Sequence, residues 1–309
     1  MAVKVKVLAS PERSKLEELA DEWLADVKTN RSPRTVASYE WPVRRLAIPF
    51  MEAEEITDPS QLDRAALNRL TNSLAEKDLA TASVATYLRQ INVWIRWCGE
   101  RDGRDNVAVA KWQKPMRKER EVLTLPEIKA LEDATTTVRD ALIVRTLART
   151  GMRLGELLGL TTEDVRGPAG VAFIRVRGTK TRQERDVPLD RDLYRGLTDY
   201  IEKKRPKETR SKALFLTIRR GRRSGQYEPV SKSTVEQLFK TLATIAGLKP
   251  ERVHPHALRH SAATRGMQKG YNPAILAAAL GHTPAVLMAT YSHVRAADAR
   301  EALAGLLED

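Results

Sequence analysis

The chain has 309 residues, enough for two domains that each bury a core. Lys and Arg number 53 against 40 Asp and Glu, a net charge of +13, and 42% of residues are hydrophobic. That balance excludes a disordered basic tail and points to a folded protein with a polyanionic partner, nucleic acid foremost. A single cysteine, Cys98, excludes an intramolecular disulfide and a thiolate zinc cluster. No run approaches the ~18 consecutive apolar residues of a membrane span, and none has the pattern of a signal peptide, so no membrane association is expected and the expected location is the cytoplasm, about the nucleoid.

Met1 to Leu8 alternates valine and lysine, a pattern able to add a strand or to fray. Leu16, Leu19, Ala20, Trp23, Leu24 and Val27 then recur at helical spacing. Ser32 followed by Pro33 opens a second helix through Tyr39 towards Leu46, in which Pro42 predicts a kink or an early break. Leu62, Leu67, Leu70 and Leu74 mark a third helix, and Val84, Tyr87, Leu88, Ile91, Trp94, Ile95 and Cys98 a fourth. Four short helices make a compact helical domain over 1–110, with Trp94 and Trp97 read as packing groups. Residues 111–121 have little periodicity, and Lys111 and Lys114 make them a basic linker suited to lying along a phosphate backbone.

A second domain, 122–309, opens with a capping-box pattern at Thr124 and Glu127. Helices are predicted over 125–133 and 138–159. Val171 to Val176 and Val187-Pro-Leu read as the arms of a hairpin, and the pattern is helical again from Arg191. Pro255 starts a helix that Gly270 stops, Asn272-Pro273 starts one that Gly281 stops, and Thr283-Pro284 starts a third towards Tyr291. The predicted fold class is mainly α with a small antiparallel β-sheet: a helical domain followed by a mixed α/β domain. The positive charge is uneven. Residues 1–120 carry a surplus of +3 and 121–309 one of +10, while Arg166 to Arg223 holds 18 basic against 7 acidic residues.

All five histidines fall between His254 and His293. His256, Arg259 and His260 lie at i, i+3 and i+4 and share a helix face. A metal site is disfavoured, because no HExxH pattern or nearby cysteine exists and Arg259 would repel a cation. Upstream, Arg153 and Glu156 lie at i, i+3 beside an apolar stripe, where a charged group needs a partner. Lys180 falls at the predicted hairpin tip; taken singly it is an ordinary exposed lysine. Together the set holds two arginines, a lysine, two or three histidines and Tyr291, with no paired carboxylates. This chemistry suits attack on a phosphodiester without a metal: arginines hold the non-bridging oxygens, the phenol is the nucleophile, and a histidine or lysine protonates the leaving hydroxyl.

Four segments, Thr150-Gly-Met-Arg153-Leu-Gly-Glu156-Leu, His256-Ala-Leu-Arg259-His260, Leu280-Gly-His282 and Tyr291-Ser-His-Val, together resemble the tyrosine recombinases, or phage integrases. Ser32-Pro33-Arg34-Thr35 through Tyr39 more weakly resembles the start of that family's helical core-binding domain. The resemblance implies that Arg153 and Arg259 hold the scissile phosphate, that His256 and His282 contact it, and that Lys180 protonates the 5′-hydroxyl. It makes Tyr291 the nucleophile that joins the DNA 3′-phosphate, Glu156 a support for the site, and His260 a structural group. Arg34, Lys111, Lys114, Arg177 and Arg182 are the expected DNA contacts. The partners implied are double-stranded recombination sites, a homotetramer on DNA formed from a monomer or weak oligomer, and an accessory DNA-bending or directionality factor. Strand exchange through a Holliday junction needs no cofactor. With only Met1–Arg13 ahead of the first helix, no extra arm-site domain is expected, and Ala302, Leu303, Leu306 and Leu307 are expected to dock on a neighbouring protomer. An integrase is the favoured reading, with a Xer-like dimer resolvase, a type IB topoisomerase and a catalytically inactive DNA-binding protein as the alternatives.

Overall fold

The computed structural model describes residues 13–104, 107–112, 122–168, 171–177, 184–222, 224–281 and 283–288. The chain divides into two compact units, Met1–Lys118 and Glu119–Asp309. Among the described residues no helix is long and apolar enough to cross a membrane.

In the first unit, α1 (Lys15–Asn30) is capped by Ser14 and α2 (Pro33–Pro42) by Ser32, each hydroxyl accepting a first-turn amide. The chain does not break at Pro42. It continues through a π-turn, Val43–Ala47, into α3 (Ile48–Ala53), so the widened turn absorbs the proline's missing donor while Val43, Leu46 and Ala47 stay buried. Helix α4 (Arg64–Ala75) follows an Asp63 cap, and α5 (Thr81–Arg101) runs 21 residues, longer than the short helix expected. Trp23 and Trp94 meet at the centre of this core with ring centroids 6.5 Å apart, and the Trp97 indole donates to Asp26. Arg44 pairs with Glu17, Asp21 and Glu40 and so joins α1 to the α2–π-turn segment. Ala110 is buried here too, its amide and carbonyl paired with the Asn92 side chain. The chain beyond α5 thus packs back on it almost as far as the expected linker.

In the second unit the Thr124–Glu127 capping box opens α6 (Leu125–Asp133). The helix predicted over 138–159 is two: α7 (Val138–Thr150) ends at Gly151, whose φ of +61° is left-handed, and α8 (Leu154–Leu158) starts after it. Three antiparallel strands follow in the order β1 (Val165–Arg166), β2 (Phe173–Val176), β3 (Arg185–Pro188), with Ile174 opposite Val187 and Val176 opposite Arg185. Strand β1, two residues long, carries too little alternation to be seen in sequence. Helix α9 (Arg191–Asp199) passes into a π-turn to Lys204, but the described residues of 205–231 are not helical. Pro206, Gly221 and left-handed Gly225 interrupt it, and two isolated bridges, Thr161 to Ala213 and Leu216 to Pro229, tie it down. Helices α10 (Lys232–Ile245), α11 (Pro255–Gln268) and α12 (Pro273–Leu280) and a helical turn over 284–288 complete the described part of the unit. Its core gathers α7, the inward strand residues and α10 around Leu147, Ile174 and Phe239.

Helix α11 begins with an unusual cap. His254 Nδ1 accepts the Ala257 amide at 3.0 Å, which requires that nitrogen to be unprotonated. His254 is exposed as a residue, but partial desolvation of its ring pushes its pKa down. A depressed histidine stabilises the fold above its unfolded pKa of about 6.5 and loses that contribution as pH falls through its folded value. Loss of a cap costs about 1 kcal/mol, or about 2–4 °C in a unit of this size. Thermal melts between about pH 7.5 and 5 should therefore fall less steeply for His254→Asn, which caps without titrating, than for the wild type. Parallel curves would exclude a protonation-sensitive cap.

Candidate active site

The site is built around the turn that separates α7 from α8. Gly151 ends α7 in the left-handed region, and a Cβ there would lie 2.4 Å from Leu280 Cδ2 and 3.3 Å from the Ala262 Cβ. The glycine thus lets this turn lie against both α11 and α12. Its carbonyl accepts Nη1 of Arg259, from 108 residues away, at 2.8 Å. Arg259 is only 1% exposed. A buried guanidinium needs fixed acceptors, and the turn carbonyl supplies one. Helix α11 is held from behind by Ser261, whose hydroxyl donates to Ala257 and accepts the Leu123 amide.

Two residues beyond Gly151, Arg153 caps α8. Its amide donates to Glu156 Oε2 at 2.8 Å and its Nη1 to Oε1 at 2.9 Å, while Nη2 reaches the Gly281 carbonyl at 2.7 Å. Arg153 is partly exposed, whereas the Glu156 side chain is almost completely buried. Arg185, the first residue of β3, places Nη1 and Nη2 on the same two carboxylate oxygens at 3.1 and 2.8 Å. Burial alone would raise the Glu156 pKa, but the Arg185 fork and the Arg153 amide and side chain outweigh it and hold the carboxyl below the usual range. Glu156 is therefore ionised at neutral pH, and it orients both guanidinium groups.

His256 and His260, one turn apart on α11, meet edge to face with ring centroids 4.5 Å apart. His260 is buried and His256 exposed. The structure thus gathers Arg153, Glu156 and Arg259 about one turn and sets His256 and His260 on the Arg259 helix. Lys180, His282, Tyr291, Lys114 and Arg182 lie outside the described residues. The flanking residues do set where two of them attach. Gly281, held between the Arg153 and Arg185 guanidinium groups, immediately precedes His282, and Arg177 and Arg185 bracket the segment that contains Lys180. Arg34 and Lys111 are exposed residues of the first unit. Arg177 turns its guanidinium into Asp164, with contacts of 2.9 and 2.6 Å to a carboxylate that is fully buried.

Asp164, paired with Arg177, and Arg185, paired with Glu156, are not among the site residues expected from the sequence. Asp164 carried a legible signal, the capping pattern Thr161-x-x-Asp164. Arg185 had none, since its partner lies 29 residues away. Chemically, two arginines converging on one turn, one buried and one half-exposed, with a histidine on the same face, form a grip for a tetrahedral phosphate.

The phage integrase family model matches residues 121–298. The chain is 30% identical over 245 residues to the tyrosine recombinase XerA of Pyrococcus furiosus, covering 78% of this chain and 80% of that protein. Its fold is similar to that of the Tn1549 transposon integrase in complex with transposon right end DNA (TM-score 0.73, 18% identity, 96% of this chain and 100% of the other). It is also similar to a lambda integrase tetramer bound to a Holliday junction (TM-score 0.66, 17% identity, 87% and 74%).

The Gly151 turn makes a separable demand on the sequence. Gly103, at the end of α5, has a similar φ of +71° but open space where a Cβ would stand. Gly103→Ala should cost only the backbone term, about 1 kcal/mol. Gly151→Ala adds overpacking against Leu280 and should cost about 2–4 kcal/mol by denaturant unfolding of the full chain. Equal costs would mean that the contact of the turn with α12 is not tight.

Proposed function

The chain belongs to the phage integrase family, and from that membership we propose how its residues cut and rejoin DNA as a site-specific recombinase. The observation that carries the reading is the convergence of Arg153 and Arg259, from motifs far apart in sequence, on the Gly151 turn. Two guanidinium groups there bind the non-bridging oxygens of a phosphodiester and strengthen their grip as charge builds in the pentacovalent state. The Tyr291 phenol loses its proton to solvent as its oxygen attacks phosphorus; the new phenolic P–O bond forms as the bond to the 5′-oxygen breaks, leaving a 3′-phosphotyrosyl link. Lys180 gives its proton to the departing 5′-oxygen, which leaves as the 5′-hydroxyl, and His256 and His282 contact the phosphate. Attack by a 5′-hydroxyl from a second site reverses the step and joins the new pair.

The first unit acts as the core-binding domain and the second as the catalytic domain, joined by the basic segment 111–121. Arg34, Lys111, Lys114 and Arg182 hold the DNA backbone. Arg177 adds charge to that grip, although its fork is turned to Asp164. On DNA the protein works as a homotetramer across two sites, a reading supported by the tetrameric lambda integrase of similar fold, and an accessory bending or directionality protein assists it.

Incubating the protein with sheared genomic DNA of its host, denaturing, and sequencing the covalently attached fragments should recover a discrete duplex sequence. Tyr291→Phe should give no adduct. Arg153→Ala and Arg259→Ala should each reduce adduct formation by about 100-fold or more while leaving most duplex binding, since most phosphate contacts lie elsewhere. Adduct from the Phe variant would remove Tyr291 as nucleophile. Relaxation of any plasmid without joining of two recovered sites would mark a topoisomerase.

A further inference from the structure

We infer that Arg185 is a positioning residue for DNA cleavage, fixing Glu156 against Arg153 and tying that pair to the last turn of α12. This assignment rests on the reading of Arg153 as a phosphate ligand. Arg185 uses its fork in two directions at once. Its Nη atoms hold both oxygens of Glu156, and its Nε donates to the Ala279 carbonyl at 3.0 Å. Arg153 bridges the same two elements, through Nη1 to Glu156 and Nη2 to the Gly281 carbonyl. The result is a closed ring of contacts from β3 to Glu156, to Arg153, to the end of α12, and back to Arg185. A Cβ on Gly281 would lie 2.7 Å from Arg185 Nη1 and 3.3 Å from Arg153 Nη1, so this glycine fits between the two guanidinium groups.

The bland alternative is that Arg185 merely anchors the hairpin that carries Lys180. The structure contains its own control for that. Arg177, at the other foot of the hairpin, makes an equally forked pair with buried Asp164, and among the described residues its guanidinium bonds to neither Glu156 nor Arg153. Loss of either pair would loosen the hairpin. Loss of Arg185 would also release Glu156, and with it the aim of the Arg153 guanidinium. A lysine at 185 could keep the charge but not three fixed donors.

The test uses single-turnover cleavage of the duplex recovered by adduct sequencing, by the full chain. Arg185→Ala should slow cleavage about 100-fold while the duplex Kd changes less than about threefold, the signature of misaligned rather than lost binding. Arg185→Lys should fold as the wild type does and recover only about tenfold of that loss, and it serves if the alanine variant does not fold. The double variant Arg185→Ala with Glu156→Gln should be no slower than the slower single variant, because both break one unit. A second substrate, with the 5′-bridging oxygen replaced by sulfur, supplies a leaving thiolate that needs no proton donor. It should restore Arg177→Ala, expected to be about tenfold slow, but not Arg185→Ala. Restoration of Arg185→Ala by sulfur, or full rescue by lysine, would reduce Arg185 to a hairpin anchor and overturn the inference alone. No adduct from the wild-type protein would overturn it together with the recombinase reading.

Discussion

A carboxylate buried away from water must find its donors inside the protein, and Glu156 finds them on two arginines. Removing one member of such a group leaves an uncompensated charge, a cost of about 3–5 kcal/mol, so the members constrain one another strongly. The constraint reaches beyond the three side chains. Arg153 caps α8, Arg185 opens β3, and both donate to carbonyls at the end of α12. A helix start, a strand start and a helix end are thereby fixed relative to one carboxylate. The residue that follows Gly281 and the segment that precedes Arg185 inherit their attachment points from it.

The second cation is placed by a different device. Arg259 sits on α11 among buried neighbours and reaches the Gly151 carbonyl, which faces it only because α7 ends in a left-handed residue. Arg153 follows two residues later on the same turn. One backbone reversal therefore sets both arginines, one through its carbonyl and one through its place in the chain. Division of labour follows from exposure: the buried guanidinium is fixed by the fold, while the half-exposed one keeps an edge towards solvent. Such an arrangement holds its charges in place through the fold itself, and under the proposed reaction little reorganisation would be needed as charge develops.

What could be read from the sequence was what local chemistry decides. Ser32, Thr124 and Asn272 cap helices because a short polar side chain meets amides two or three residues on. Arg153 with Glu156, and His256 with Arg259, were legible because helical spacing brings i and i+3 together. The α7–α8 break was not, because a lone glycine inside a helical pattern is often tolerated, and only packing against Leu280 and Ala262 makes a turn the better solution here. At Pro42 the sequence allowed a kink or an early break, and the break does not occur: the helix is distorted into a π-turn and runs on, with Val43, Leu46 and Ala47 buried. The Arg185–Glu156 pair joins a strand to a helix cap, and no local pattern announces it.

The charge arithmetic also changes meaning once partners are known. Arg166 to Arg223 holds 18 basic and 7 acidic residues, which invites the view that the whole surplus faces DNA. Yet Arg177, Arg185 and Lys212 are paired with Asp164, Glu156 and Glu163, acids that lie just outside the segment. Arg205 spends its donors on the Ser211 and Ala213 carbonyls, and burial lowers its pKa, so it is an architectural cation. A count along the chain cannot separate a cation that holds the fold from one that releases counterions on binding. Salt dependence follows the second kind only. The surplus points to a polyanionic partner, but several of its largest side chains act inward, and Arg153 and Arg259, the arginines proposed to hold the phosphate, lie outside the surplus.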